Sequence, residues 1–210
     1  KLHSLDFPAD SNLISFDAKS MFTSIPVNTA EELMADILLQ KGIDPEVVGE
    51  FRDLLSICLK YNLCVYQSKK YEFPDGLPMG APLSMLVADI YMDRLEQDII
   101  GNFPSDRCIR YWARYVDDIL CVWQGTERTA RNLLEGLNTY NPSISFSMEF
   151  GGSKIAYLDL LISLEPHHNA LRPTFQVHRK PTFTGVSIHR DSLHPAAQKH
   201  AVINSAIHRL

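Results

Sequence analysis

The stretch Cys108-Ile109-Arg110-Tyr111-Trp112-Ala113-Arg114-Tyr115-Val116-Asp117-Asp118-Ile119-Leu120-Cys121-Val122-Trp123 decides the fold. Its arms, 108–115 and 119–123, are rich in β-branched and aromatic residues, and Val116-Asp117-Asp118 between them reads as a tight turn. The unit is a hairpin with two acids at its bend. Downstream, Thr126 caps a helix with Ala130, Leu133, Leu134 and Leu137 on one side. Ile144, Phe146, Met148 and Phe150 then alternate as a strand does. Upstream, Leu83, Leu86, Val87, Ile90, Tyr91 and Leu95 predict the buried face of another helix. Leu13-Ile14-Ser15-Phe16 is an apolar strand running straight into Asp17.

Between the first strand and that upstream helix lies an insertion. Thr29-Ala30-Glu31-Glu32 has capping-box spacing ahead of Leu33, Met34, Ile37 and Leu38, and Gly42 ends the run. Asp44-Pro45 opens a second helix with Val47, Val48, Phe51, Leu54, Leu55, Cys58 and Leu59 on one face. Residues 62–67 and 71–73 read as strands around a Ser68-Lys69-Lys70 turn. The following 74–82 segment is too rich in Pro and Gly for regular structure. Past the alternating strand, Gly151-Gly152 predicts a turn into 155–164, where Ala156, Leu158, Leu160, Ile162 and Leu164 share a face. Stripped of the insertion and the first hairpin, the order is β-α-β-β-α-β. This is an α+β, ferredoxin-like arrangement of an antiparallel sheet packed on helices.

Composition sets the bounds. With 210 residues, 45% hydrophobic and 21% charged, the chain can bury a core and is not of disordered type. No apolar run approaches the ~20 residues of a membrane helix. Cys58, Cys64, Cys108 and Cys121 form no CxxC pair and sit in apolar stretches. They predict buried free thiols and a reducing compartment, nuclear or cytoplasmic. The net charge of -5 hides a gradient: residues 172–210 carry +5 and the rest -10, and five of the eight histidines fall in the tail. A basic segment on an acidic body suggests phosphate contacts at one end and cation binding at the other.

In the ferredoxin-like layout the first and middle strands are neighbours, so Asp17, Asp117 and Asp118 converge at one sheet edge. Crowded carboxylates repel and call for a cation. Mg2+ suits them, because it takes hard oxygen ligands from one or two carboxylates plus substrate phosphates. Two such ions ~3.5–4 Å apart activate an attacking hydroxyl and stabilise a leaving oxygen. An Asp-Asp pair in a turn is by itself ordinary turn chemistry; what lies between Asp17 and the hairpin changes its meaning.

Tyr115-Val116-Asp117-Asp118 resembles the Y-x-D-D box of reverse transcriptases. Phe16-Asp17-Ala18-Lys19-Ser20-Met21-Phe22 resembles their motif A, a strand ending in a metal-binding Asp with an aromatic five residues later. Gly76-Leu77-Pro78-Met79-Gly80-Ala81-Pro82-Leu83-Ser84 resembles motif B, and all three stand in the family's order. Within that family the chain resembles the Penelope-like retroelement group. Met79-Gly80-Ala81-Pro82-Leu83-Ser84 with Ala88-Asp89-Ile90-Tyr91-Met92 is similar to it, as are Phe146-Ser147-Met148-Glu149 and Tyr157-Leu158-Asp159. So is Arg179-Lys180-Pro181-Thr182-Phe183-Thr184, followed by His189, Asp191, His194-Pro195 and Lys199.

The resemblance implies an RNA-directed DNA polymerase that adds dNTPs to a DNA primer on an RNA template. Asp17 and Asp117 would hold two Mg2+ ions (Mn2+ substituting), helped by the Ala18 carbonyl, with Asp118 as a secondary ligand. Phe22 corresponds to the steric gate that clashes with a ribose 2′-OH. Met79 and Gly80 would line the dNTP site, although many relatives carry glutamine where Met79 stands. Gly76, Pro82, Tyr115 and Val116 would face template and primer, and Arg179, Lys180 and Thr182 fall where the family places its primer grip. Lys154 is a candidate proton donor to pyrophosphate, and Ser84 either caps its helix or meets substrate.

By the same resemblance, 1–178 forms a palm with partial fingers, the helical insertion lying at about 29–60. Residues 179–210 form the primer-grip region and a thumb that starts near Pro195 and is cut short. Most of the fingers would precede residue 1, so the chain reads as a piece of a longer protein. Alternatives are a telomerase-like or intron-type reverse transcriptase, or a domesticated, non-catalytic nucleic-acid-binding palm. A two-metal nuclease or cyclase leaves Phe22 and the 76–84 loop unexplained. No membrane partner is expected, and protein partners cannot be read.

Overall fold

The computed structural model describes residues 2–60, 63–72, 75–102, 108–182, 188–189 and 191–208. It divides into two compact units, Lys1–Val177 and His178–Leu210. In the first, strands β1 (Ser11–Lys19), β4 (Ile109–Tyr115), β5 (Asp118–Gln124) and β6 (Ser145–Gly152) form one sheet in the order β4-β5-β1-β6. All its pairings are antiparallel. The helices are α1 (Met21–Ser24), α2 (Val27–Gln40), α3 (Pro45–Lys60), α4 (Pro82–Asn102) and α5 (Glu127–Tyr140). A hairpin, β2 (Leu63–Tyr66) with β3 (Lys69–Glu72), stands apart. Strands β7 (Lys154–Tyr157), β8 (Leu160–His167) and β9 (Ala170–Val177) make a second sheet.

Strand alternation gives the main sheet two apolar faces. Ile14, Phe16 and Ala18 of β1, with Ile119, Cys121 and Trp123 of β5, join the helices in the larger core. Leu13, Leu120 and Val122 point the other way and pack on Ile155, Ile162 and Leu164 of the second sheet, together with Phe7. Phe7 also bridges to Leu171, and the Asp6 carboxylate receives two Arg172 donors at 2.8 and 2.9 Å.

Several local expectations are corrected. Helix α2 starts at Val27, with Pro26 at its N-cap and no side-chain cap, so Thr29 lies inside the helix and caps nothing. Instead, the Asp75 carboxylate accepts from the Val27 N–H at 2.9 Å. Helix α4 buries Ser84, Val87, Ala88, Tyr91, Met92, Leu95 and Ile99, while Leu83 and Leu86 are exposed. In α3, Val48, Leu55 and Leu59 are buried but Val47, Leu54 and Cys58 are exposed. Cys121 is buried and Cys108 half-buried, so the thiols do not share one environment; burial pushes the Cys121 thiol up. The first hairpin turns at Gln67-Ser68, both with positive φ, and not at 68–70. Gly151 and Gly152 belong to β6. The 155–164 run is two strands bent at Leu158 (φ 54), with Leu158 and Leu160 exposed and Ile155 paired to Ile162.

In the second unit, α6 spans Ala196–His208. Among the described residues no helix is long and apolar enough to cross a membrane.

Candidate active site

Asp17 and Asp118 are direct partners in the β1–β5 register, so they stand side by side on one sheet face. Asp117 is held next to them, its carbonyl accepting from the Ala18 N–H at 3.0 Å. The face they share also carries Leu13, Leu120 and Val122, which the second sheet covers. Beyond that cover Asp17 is exposed and Asp117 and Asp118 are half-exposed. The same alternation that buries Phe16 and Ala18 thus presents Asp17 to solvent at the strand's end.

Two neighbours complete the carboxylate corner. Ser147 of β6 is Asp17's register partner on the other side and lies 3.5 Å from its Oδ2. The Tyr157 hydroxyl donates to the Asp118 carbonyl at 3.0 Å. Its phenol is pushed up to about 12, first by burial and then by the negative charge of Asp118. Both residues fall in stretches that resemble the Penelope-like group, outside the residues that the resemblance implies for the site. For Ser147 the signal was there: in a strand that buries Phe146, residue 147 must face the opposite side.

Tyr115 pairs with Asp118 and is exposed on the carboxylate face. Val116 makes the turn with φ 59, a left-handed conformation costly for a β-branched residue. Phe22 sits in α1, half-buried against the larger core. Its carbonyl accepts from the Leu77 N–H at 2.7 Å, which fastens the 75–81 loop to the turn after Asp17. Asp75 accepts from the Gly76 N–H as well as from Val27. Gly76 has φ +89, and a Cβ there would come within 2.6 Å of the Thr23 carbonyl oxygen. Only glycine allows this approach.

Met79 is 73% exposed, Gly80 turns with φ +89, and Pro82 is the exposed first residue of α4. Ser84 caps nothing: it lies inside α4, buried, its hydroxyl without a hydrogen-bond partner. Lys154 is the exposed first residue of β7. Arg179, Lys180 and Thr182 are exposed residues of irregular chain in the second unit. Phe183 and Thr184 of the same resemblance lie outside the described residues.

As the side chains stand, no three His, Cys, Asp or Glu residues among the described ones are grouped to hold a metal ion. The donor set nevertheless fits Mg2+. Asp17, Asp117 and Asp118 offer only hard oxygens, and among the described residues no ion pair occupies Asp17 or Asp117.

With this geometry, the family model for reverse transcriptase (RNA-dependent DNA polymerase) matches residues 7–156. The chain belongs to the reverse transcriptase family. The match runs from Phe7 through the whole main sheet and stops inside β7. Solved structures share the fold at low identity. The Candida albicans telomerase solved with a fragment of telomeric RNA is similar at a TM-score of 0.61 and 12% identity, over 75% of this chain and 31% of that one. The Candida tropicalis telomerase with the corresponding RNA fragment gives 0.57 and 13%, over 73% and 28%. An RNA polymerase complex inside a dsRNA virus gives 0.54 and 13%, over 74% and 16%. The chain therefore spans less than a third of these relatives. No curated protein matches it.

Proposed function

We propose that the chain is the palm, of ferredoxin-like topology, of an RNA-directed DNA polymerase. It would add dNTPs to a primer 3′-OH on an RNA template. The observation that carries this reading is the Asp17–Asp118 register pair, with Asp117 beside it, on the uncovered end of a sheet in a reverse transcriptase family member. Asp17 and Asp117, with the Ala18 carbonyl and Asp118 in support, would hold two divalent ions, Mg2+ or Mn2+. When bound, the metal lowers the pKa of the primer hydroxyl and neutralises charge on the phosphates. The protein's own part is placement: the β1–β5 pairing fixes the carboxylates, and the loop fastened to Phe22 shapes the nucleotide floor. Met79 and Gly80 belong to that floor. Gly76, Pro82, Tyr115 and Val116 would face template and primer. Exposed Leu83 and Leu86 add apolar surface at the start of α4 suited to a base pair.

Residues 1–178 would be palm with partial fingers, and 179–210 the primer grip and the start of a thumb. Arg179, Lys180 and Thr182 are exposed, as phosphate ligands must be. A Penelope-like origin is supported by the 79–92, 146–149, 157–159 and 179–199 resemblances; telomerase-like ancestry is an equal reading, favoured by the shared telomerase fold. Nuclear or cytoplasmic residence goes with either.

Phe22 makes the proposal specific to DNA synthesis. In primer extension by the full-length protein, dNTPs should be used and rNTPs refused. Phe22→Ala should raise ribonucleotide use by about 100-fold, the loss of a clash worth roughly 3 kcal/mol. Unchanged sugar selectivity would remove Phe22 from the gate.

A further inference from the structure

The turn that carries the carboxylates is supported from its other side. Arg114, the residue before Tyr115, points to the helix face of the sheet while Tyr115 and Asp118 take the opposite face. Its side chain is 10% exposed and Glu96's is 13%. Arg114 Nε donates to Glu96 Oε1 at 2.9 Å, and the Trp112 indole donates to the same oxygen at 3.0 Å. Nη1 pairs with Asp89 Oδ1 at 2.9 Å and donates to the Val116 carbonyl at 3.3 Å, and Nη2 reaches the Asp89 carbonyl at 3.4 Å. Glu96 and Asp89 both belong to α4, whose first residues close the 75–81 loop. One guanidinium thus ties the helix behind the nucleotide floor to the carbonyl of the strained residue between Tyr115 and Asp117.

We propose that Arg114, anchored by Glu96 and Asp89, is a positioning residue. It holds the left-handed Val116 turn so that Asp117 and Asp118 stand where the metals and the primer end require. The inference rests on the polymerase reading above. A residue at φ 59 with a β-branched side chain persists only where its surroundings over-determine it. The guanidinium supplies that restraint with a fixed fork of donors, which a lysine ammonium cannot reproduce at four acceptors together. Arg114 lies on the sheet face opposite Tyr115 and Asp118, so its effect must come through backbone placement.

The test is primer extension by the full-length protein, with kcat, dNTP KM and the Mg2+ midpoint measured per folded molecule. Arg114→Met alone leaves Glu96 buried without its cation, so the informative variant is Arg114→Met/Glu96→Gln. It removes both charges and keeps an acceptor for Trp112. We expect kcat to fall about 100-fold, as for a misplaced catalytic group, with KM for dNTP within about twofold. The Mg2+ midpoint should rise about tenfold. Arg114→Lys should recover part of kcat. Asp89→Asn, at the exposed end of the network, should fold normally and lose several-fold.

Wild-type kcat and Mg2+ midpoint in the folded double variant would overturn the proposal, and so would a loss confined to KM. Should the double variant not fold, an unchanged Asp89→Asn would overturn it equally. A wild-type protein that extends no primer would instead overturn the polymerase reading, and this inference with it.

Discussion

At the scale of single residues, the corner is defined by alternation. Asp17 was legible as an acid ending an apolar strand, and Asp117-Asp118 as the bend of a hairpin. Their meeting followed from the strand order, which the β1–β5 register now states residue by residue. What the sequence concealed was support from residues distant along the chain. Nothing local marks Arg114 as a partner of Glu96, 18 residues earlier, or Tyr157 as a donor to the Asp118 carbonyl. Tyr157 offers a pH test. Its phenol is raised from 10.0 to about 12, so the fold favours the neutral form. That stabilisation is whole below about pH 10 and is lost as pH climbs through about 12. In a phenolate absorbance titration of the eight tyrosines, Tyr157→Phe should lose a late-titrating group and flatten the alkaline loss of stability. All eight titrating together near 10 would contradict the contact.

At the scale of elements, strong periodicity was legible and weak periodicity was not. Helix α5 was readable because Thr126 caps it, its side chain accepting from the Thr129 N–H, and because Ala130, Leu133 and Leu137 repeat without interruption. Leu133 is fully buried, so Leu133→Ala should cost about 3 kcal/mol of unfolding free energy, measured by urea denaturation. A loss below about 1 kcal/mol would mean that this face is not core. Helix α4 is harder to read because its buried stripe uses Ser84 and Ala88, which a hydrophobicity ranking passes over for Leu83 and Leu86. Those leucines stay exposed beside the loop, where a nucleic-acid surface has been proposed. The second sheet escaped because the 155–164 alternation continues through the Leu158 bend, a change of direction made by backbone angle and not by Gly or Pro.

At the scale of the whole molecule, the acidic body and basic tail fall on different units. The division at Val177–His178 lies close to the charge boundary read near residue 172. The body carries the carboxylates, and the tail carries Arg179 and Lys180, as cation binding and phosphate contact respectively would require. The proposed reaction is metal-dependent, RNA-templated DNA synthesis at Asp17 and Asp117. It is tested most directly by extending an oligo(dT) primer on an RNA template with the full-length protein in Mg2+, beside Asp117→Asn and an EDTA control. The expected result is dNTP incorporation that EDTA abolishes and that Asp117→Asn lowers by at least about 1,000-fold while the fold is kept. Incorporation that survives Asp117→Asn, or a folded wild-type protein that incorporates nothing, would contradict it.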